Sequence, residues 1–218
     1  MDLSAIIETI ALYAIPMIFA ITLHEAAHGY VAKYFGDYTA YQAGRISLNP
    51  LDHIDPIGTI LVPVALIMLS RGQLVFGWAK PVPVNFGNLR SPKRDMLWVA
   101  AAGPGANLLM AVCWAILLKV VHVVPANYFS YPLGKMAQGG IIINLGLMAL
   151  NLIPIPPLDG GRIAVSLLPH RLAYRFAMIE PYGLFIMLAL LATHVLDLVI
   201  WPVVVLCSTL ISALLGLS

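Results

Sequence analysis

Charged residues are scarce in this 218-residue chain. Asp, Glu, Lys and Arg make up only 10% of it and hydrophobic residues 61%, whereas an average soluble domain has about 25% charged residues. Disordered and collagen-like chains are excluded by this composition. The formal net charge is only +2 and no block of Lys and Arg occurs, which argues against nucleic-acid binding. The two cysteines, Cys113 and Cys207, lie in apolar runs and cannot form a disulfide framework.

Long apolar runs dominate the sequence instead. About 20 residues cross a bilayer, and the mean hydropathy of the chain is +0.90. The runs with few or no charged residues are residues 4–23, 56–70, 96–118, 136–158, 181–196 and 198–218. We therefore predict an all-α polytopic membrane protein with five to six transmembrane helices. The polar stretches between the runs are too short for a separate soluble domain, which predicts one domain over residues 1–218.

Two polar loops have the composition of short strands. Residues 44–50 and 75–85 are rich in Pro, Gly, Asn and β-branched residues. Proline cannot donate to a β ladder, so it would confine such strands to the edges of a sheet. An edge strand can hold an extended peptide by pairing with its backbone. We therefore expect short edge strands in these loops, with residues 44–48 and 76–84 as candidates for holding an unwound peptide.

A His-Glu-x-x-His motif, with His24, Glu25 and His28, ends the first apolar run. Residues four apart on a helix share one face, so both imidazoles can reach one tetrahedral Zn²⁺. Glu25 follows the first imidazole and can serve as general base for an attacking water. Burying two imidazoles and a carboxylate near hydrocarbon costs several kcal/mol unless they are paired or bind a metal. The motif predicts a zinc site, with a purely structural role as the alternative.

A catalytic zinc site uses three protein ligands and keeps one open position. Asp159 is the candidate for the third ligand because it ends a long apolar run, as the histidine pair does. Three prolines between positions 154 and 157 must break the helix just before it. An Asp before Gly-Gly is also a common turn residue, so the sequence alone leaves both roles open.

Three motifs in this order resemble the site-2 protease family of intramembrane zinc metalloproteases. They are His-Glu-x-x-His at 24–28, Ala-Gly-Pro-Gly-Ala-Asn at 102–107 and Asn-x-x-Pro-x-Pro-Pro-x-Asp-Gly at 151–160. The resemblance covers nearly the whole chain. It implies hydrolysis of a peptide bond in or near a transmembrane segment of a membrane-protein substrate.

The resemblance also implies roles for single residues. His24, His28 and Asp159 would bind one Zn²⁺ per chain, and Glu25 would be the catalytic base. Residues 44–84 resemble the compact subgroup that lacks a PDZ domain. The expected partners are a transmembrane protein substrate and the lipid bilayer, with no nucleic acid.

Zinc binding by residues from two helices constrains the topology. His24 and Asp159 each follow about 30 Å of apolar helix, so both lie at the far ends of helices that run in the same direction. An even number of crossings must separate these two ends. This predicts that residues 56–70 are re-entrant or lie in the interface.

The positive charges support this topology. Ten of the twelve basic residues then share one side of the membrane, namely Lys33, Arg45, Arg71, Lys80, Arg90, Lys93, Arg94, Arg162, Arg171 and Arg175. Lys119 and Lys135 take the other side, a division that the positive-inside rule favours. We therefore expect an integral protein of the cell (plasma or inner) membrane, with its N-terminus outside and its active site toward the cytoplasmic leaflet.

Other polar residues are candidates for roles beside the metal. His53 could donate to the oxyanion that forms during peptide hydrolysis, although a solvated loop histidine is the alternative. Asn151 could bind the substrate backbone or the oxyanion, with an interhelical hydrogen bond as the alternative. Asn107, close to Gly103, is expected to serve close helix packing.

Two other functions compete with proteolysis. A metal-ion transporter would use the same ligands as a permeation site, but the sequence has no continuous series of intramembrane acidic residues and such a site would not need Glu25. A catalytically inert membrane scaffold would keep the fold, but the base and all three ligands are intact. The sequence therefore favours the protease.

Overall fold

The computed structural model describes residues 3–69 and 77–217. The α helices are α1 Leu3–Tyr34, α2 Thr39–Gln42, α3 Val62–Leu69, α4 Pro92–Val123, α5 Ser130–Asn151, α6 Asp159–Leu167, α7 His170–Ala177, α8 Gly183–Ala192 and α9 Val195–Leu215. A π-helical turn, Pro56–Leu61, leads into α3, and 3-10 turns cover Pro50–His53, Phe86–Asn88 and Glu180–Tyr182. The predicted all-α class is confirmed for these residues.

Four helical stretches of the described chain are long and apolar enough to cross a membrane. They are α4, α5, the run His170–Ala192 that joins α7 to α8, and α9. The third of these begins at His170, earlier than the sequence indicated. The apolar helix Pro56–Leu66 is shorter. An integral membrane protein is thereby confirmed, whereas the total of five to six spans and the re-entrant segment stay predictions.

The expected edge strands do not form in the described residues. Residues 44–49 make a turn followed by irregular backbone, and residues 77–85 are irregular as well; residues 75 and 76 lie outside the described part. Pro81 and Pro83 remove N–H donors at alternate positions, so this stretch cannot supply one side of a continuous ladder. The strand prediction was therefore wrong for these residues.

Single hydrogen bonds from side chains and backbone hold these two loops together in place of a ladder. The guanidinium of Arg45 donates to the carbonyl oxygens of Asp52, at 2.5 Å, and Lys80, at 3.2 Å. The N–H of Lys80 in turn donates to the carbonyl oxygen of His53 at 2.9 Å. The two loops therefore lie side by side at one end of the molecule.

The core is built from α1, α4 and α5, which pack on one another, with α9 against α4 and α5. Small buried side chains let these helices approach closely. They include Ala20 and Ala32 on α1 and Ala111 and Ala115 on α4. This packing places the end of α1 that carries the His-Glu-x-x-His motif against the first half of α4.

The chain breaks between α5 and α6. Three prolines lie in the intervening segment 152–158, where they remove the donors that a continuing helix would need. The sequence then restarts a helix at Asp159, and this helix packs on α4. Glycine is required at position 160, because a Cβ there would lie 2.3 Å from the carbonyl oxygen of Leu152. The segment 152–158 thus brings Asp159 back to His24 and His28 on α1.

Candidate metal centre

Two imidazoles face each other on α1. His24 and His28 are one helical turn apart, and their ring centroids are 4.8 Å from each other. Each residue is only 8% exposed. Their Nε2 atoms are 3.1 Å apart. Because residues four apart share one face of a helix, both Nε2 atoms point at the same region.

The carboxylate of Asp159 completes this group. Its Oδ2 lies 3.3 Å from Nε2 of His24 and 3.3 Å from Nε2 of His28. Asp159 is 9% exposed and stands on the first turn of α6. Among the described residues these three form a His/Cys/Asp/Glu group close enough to hold a metal ion.

Hydrogen bonds on the far side of each ring set the protonation of the imidazoles. Nδ1 of His24 donates to Oδ1 of Asn107 at 2.7 Å, and Nδ1 of His28 donates to the carbonyl oxygen of Val99 at 2.7 Å. A proton on Nδ1 leaves a neutral ring with its lone pair on Nε2. Both rings are therefore held in the form that binds a metal through Nε2.

The residues present fit a zinc ion. Oδ2 of Asp159 is buried and accepts no hydrogen bond from the described residues, so three lone-pair atoms converge without a proton donor among them. Bonds of about 2.0 Å to a tetrahedral zinc place neighbouring ligand atoms about 3.3 Å apart, which matches the separations of 3.1–3.3 Å. Two imidazole nitrogens and one carboxylate oxygen are also the ligand types that catalytic zinc uses.

Helix α4 leaves space for the imidazoles at one glycine. A Cβ at Gly103 would lie 2.4 Å from Nε2 of His28 and 2.5 Å from Cε1 of His24. Any larger residue at this position would push directly on the Nε2 atoms of both imidazoles. The sequence pattern predicts close helix packing near Gly103, and it does not reveal this contact with the histidines.

Glu25 follows His24 directly and is hydrogen-bonded to the loop 77–85. Its Oε2 accepts a hydrogen bond of 2.8 Å from the backbone N–H of Val82. Val82 stands between two prolines, so it offers the single N–H of the stretch 81–83. The side chain of Glu25 is half-buried, and its Oε1 has no hydrogen-bond donor among the described residues.

His53 and Asn151 lie outside the three-residue group. His53 is buried and its Nε2 donates to the carbonyl oxygen of Ser47 at 2.9 Å, while its Nδ1 has no partner among the described residues. It is therefore not the solvated histidine of the alternative interpretation. Asn151 donates to the carbonyl oxygen of Leu147 in its own helix at 3.0 Å. Their roles toward the oxyanion stay predictions.

Asn107 makes contacts beyond the helix packing that the sequence predicts. It binds His24 directly, and its own amide is bound by Asn144 on α5 at 3.1 Å. Both amides are completely buried. The sequence carried one signal for this contact, because an uncharged polar residue inside an apolar helix needs a partner.

Comparisons with known proteins agree with this geometry. The model of "Peptidase family M50" matches residues 120–193, which include Asp159. "Putative zinc metalloprotease YwhC" of Bacillus subtilis is 40% identical over 86% of this chain and 83% of its own length. "Putative zinc metalloprotease Rip2" of Mycolicibacterium smegmatis is 31% identical over 82% of this chain and 65% of its own length.

A zinc metalloprotease of Methanocaldococcus jannaschii is 26% identical over 71% of this chain and 34% of its own length. No solved structure matches the chain significantly. The relative that is 40% identical over most of both sequences is described as a putative zinc metalloprotease, and the donor set found here suits the same metal. The chain belongs to peptidase family M50, the site-2 protease family, and its cofactor is Zn²⁺.

Proposed function

We propose that this protein is an intramembrane-cleaving zinc endopeptidase, which hydrolyses a peptide bond in or near a transmembrane segment of a membrane-protein substrate. The observation that carries the proposal is the buried triangle of His24, His28 and Asp159 at the end of a long apolar helix. Helices able to span a membrane pack around it, so the site suits a substrate that arrives through the bilayer.

His24, His28 and Asp159 would hold the zinc. Zinc bound there supplies a Lewis acid, which polarises a carbonyl and makes water a stronger acid at neutral pH. The two Nδ1–H donations to Asn107 and Val99 keep both imidazoles neutral and fixed in direction.

Glu25 would move the proton. Because Oε2 is held by the N–H of Val82, Oε1 is the oxygen that would accept the proton of the attacking water. The water oxygen forms a bond to the carbonyl carbon, the C–N bond breaks, and Glu25 gives the same proton to the departing amine nitrogen. Proton and electron pairs balance without any further reactant.

The polar loops support access of water from the cytoplasmic side. Residues 44–53 and 77–85 lie together next to Glu25, and Nζ of Lys93 donates to the carbonyl oxygen of Leu168 at the same end of the bundle, at 2.5 Å. Basic residues thus collect at the end that carries the site, as expected for a cytoplasmic face.

A tag on Met1 should accordingly be accessible from outside the cell, and labelling from the cytoplasm would contradict this topology.

The test of the proposal is cleavage in a defined membrane. The purified full-length protein is reconstituted in vesicles with a set of single-span reporter proteins, and the products are mapped by mass spectrometry. Glu25→Gln should abolish cleavage while zinc stays bound, because the amide cannot accept the proton and is not a ligand. Cleavage by Glu25→Gln would exclude Glu25 as the base.

The same vesicles test the transporter alternative. Zinc flux into vesicles that carry a fluorescent zinc indicator should be no greater with the protein than without it. Flux that persists in Glu25→Gln, together with no cleavage of any reporter by the wild-type protein, would replace the protease with a transporter.

A further inference from the structure

The two metal-facing imidazoles are held by different kinds of acceptor. His28 donates to the backbone carbonyl of Val99, which is an acceptor in every orientation. His24 donates to a side-chain amide, that of Asn107. A primary amide has an oxygen acceptor on one side and an NH₂ donor on the other. The state of His24 therefore depends on which way this amide points.

Two further contacts determine the orientation of the Asn107 amide. Its Nδ2 donates to the backbone carbonyl of Ala20 at 3.2 Å and to Oδ1 of Asn144 at 3.1 Å. Both partners can only accept at these atoms. If the amide rotated by half a turn, its oxygen would face two other oxygens and its NH₂ group would face His24. Both hydrogen atoms of Nδ2 are thus engaged, and Oδ1 is left for the histidine.

Asn144 is itself fixed by its own helix. Its Nδ2 donates to the carbonyl oxygen of Gly140 at 2.8 Å, which turns its Oδ1 toward Asn107. Asn107 and Asn144 are each 0% exposed, so water cannot replace any of these partners. The series runs from α5 through α4 to α1 without a gap.

We propose that Asn107 and Asn144 are positioning residues of the zinc site, which hold His24 with its proton on Nδ1 and its lone pair on Nε2. The inference rests on the proposed zinc ligands and extends the site to two residues that do not touch the metal. Without Asn144, the Asn107 amide can turn its NH₂ group toward His24. That orientation favours a lone pair on Nδ1 and a proton on Nε2, the form that cannot bind the metal.

The first test is the zinc dissociation constant of the full-length protein in detergent, measured by competition with a chelating dye. Loss of an outer partner of a metal-binding histidine weakens binding by about 10–100-fold. Leucine has a shape similar to asparagine but no polar side-chain atom. We expect zinc binding to weaken by this range in Asn107→Leu and by an amount near its lower end in Asn144→Leu. In its neutral form, Asn144→Asp keeps an oxygen facing Asn107 and an O–H for the carbonyl of Gly140, so it should bind zinc more tightly than Asn144→Leu.

Ser166→Ala is the matched control. Its buried hydroxyl donates only within α6, to the carbonyl oxygen of Ile163 at 2.7 Å, so its loss should leave zinc affinity unchanged. If Asn144→Leu is folded and monodisperse and binds zinc with wild-type affinity, the positioning role of Asn144 is overturned while the proposed function stays intact. A wild-type protein that binds no zinc would overturn both.

A second measurement needs no variant. In zinc-loaded protein labelled with ¹⁵N-histidine, the Nδ1 protons of His24 and His28 should exchange slowly with water, whereas the ring protons of the exposed His170 should exchange quickly. Fast exchange at His24 would overturn the proposal even if Asn144→Leu does not fold. Where that variant does fold, exchange at His24 should accelerate and exchange at His28 should not.

Discussion

Two buried aspartates near the C-terminal part of α1 show how differently one type of side chain can be used. Asp37, just after α1, is 0% exposed, and its carboxylate accepts hydrogen bonds from Thr39, Asn85 and Asn88. Asp159 is also buried, but its Oδ2 accepts none and faces two imidazole nitrogens that carry lone pairs. A buried carboxylate is costly unless donors or a cation compensate its charge.

The difference separates a structural anchor, Asp37, from a candidate metal ligand, Asp159. Asp37 has its own donors, and its bonds fasten the segment 85–88 to the end of α1. Asp159 lacks such donors, and a cation bound by Asp159 and the two histidines would compensate its charge. Burial by itself therefore does not identify a site; the identity of the atoms that surround the carboxylate does.

The largest expected contrast is in zinc binding by isosteric variants of the two residues. Asp159→Asn should weaken zinc binding by more than about 100-fold, which is the upper end for loss of an outer partner. Asp37→Asn should leave zinc binding unchanged and lower the free energy of unfolding by about 1–3 kcal/mol, because NH₂ replaces an acceptor. Metal analysis after gel filtration and thermal unfolding in detergent measure both. Equal zinc loss in the two variants would remove the distinction.

Removal of zinc should affect stability through Asp159 and not through Asp37. A ligand at 100 times its dissociation constant stabilises the native state by about 2.7 kcal/mol. Chelation should therefore lower the unfolding temperature of the wild type and of Asp37→Asn, and have no effect on Asp159→Asn. A chelator-sensitive Asp159→Asn would mean that the metal binds elsewhere.

A smaller effect is expected from crowding the imidazoles that face Asp159. Gly103→Ala would place a methyl carbon 2.4 Å from Nε2 of His28, and overpacking of this kind costs about 1–3 kcal/mol. Zinc affinity and stability should both fall. Gly105→Ala, on the same helix with open space around its Cβ position, is the control and should be neutral. Identical behaviour of the two variants would contradict the close approach of α4.

The smallest effect concerns the pH dependence of the anchor. Burial opposes ionisation of Asp37, but the hydrogen bonds from Thr39, Asn85 and Asn88 outweigh it and lower the pKa of its carboxyl below the ordinary value. The stabilisation is therefore complete above the unfolded-state pKa of about 3.9 and is lost as the pH falls through the lower folded-state pKa.

Amide hydrogen exchange measures this loss. Protection of the Asn85 N–H, which donates to Asp37, should decline in that acidic window after correction for the intrinsic pH dependence of exchange. Asp37→Asn should show no such step. A step of equal size in both proteins would assign the change to another group.

Sequence reasoning reached the class of the fold and the metal-binding pattern, and its errors lie in the loops. The spacing of His24 and His28 predicts a shared helix face because one turn of helix separates them, and the structure has this face. Composition predicts the edge strands, but it does not contain the fact that residues 77–85 meet no partner strand in the described part of the chain. Single hydrogen bonds from side chains and backbone hold this stretch instead. Loop conformation depends on such distant contacts, which composition does not contain.

The site shows the same division. The sequence predicts that Asn107 serves helix packing near Gly103, and the structure in addition places Gly103 against both imidazoles and Asn107 against His24. Neither contact follows from a local pattern, because the direction of a side chain on α4 has meaning only relative to α1. A polar residue inside an apolar helix predicts that a partner exists, and not which one.

Local geometry and hydrophobicity are properties of the chain itself, and so the membrane setting, the helices and the paired imidazoles follow from the order of residues alone. Three features depend instead on how α1, α4, α5 and α6 pack. They are the contact of Asp159 with those imidazoles, the space that Gly103 leaves for them, and the two buried amides behind His24. Packing joins residues far apart in the chain at distances of about 3 Å, and only the folded structure specifies which atoms meet.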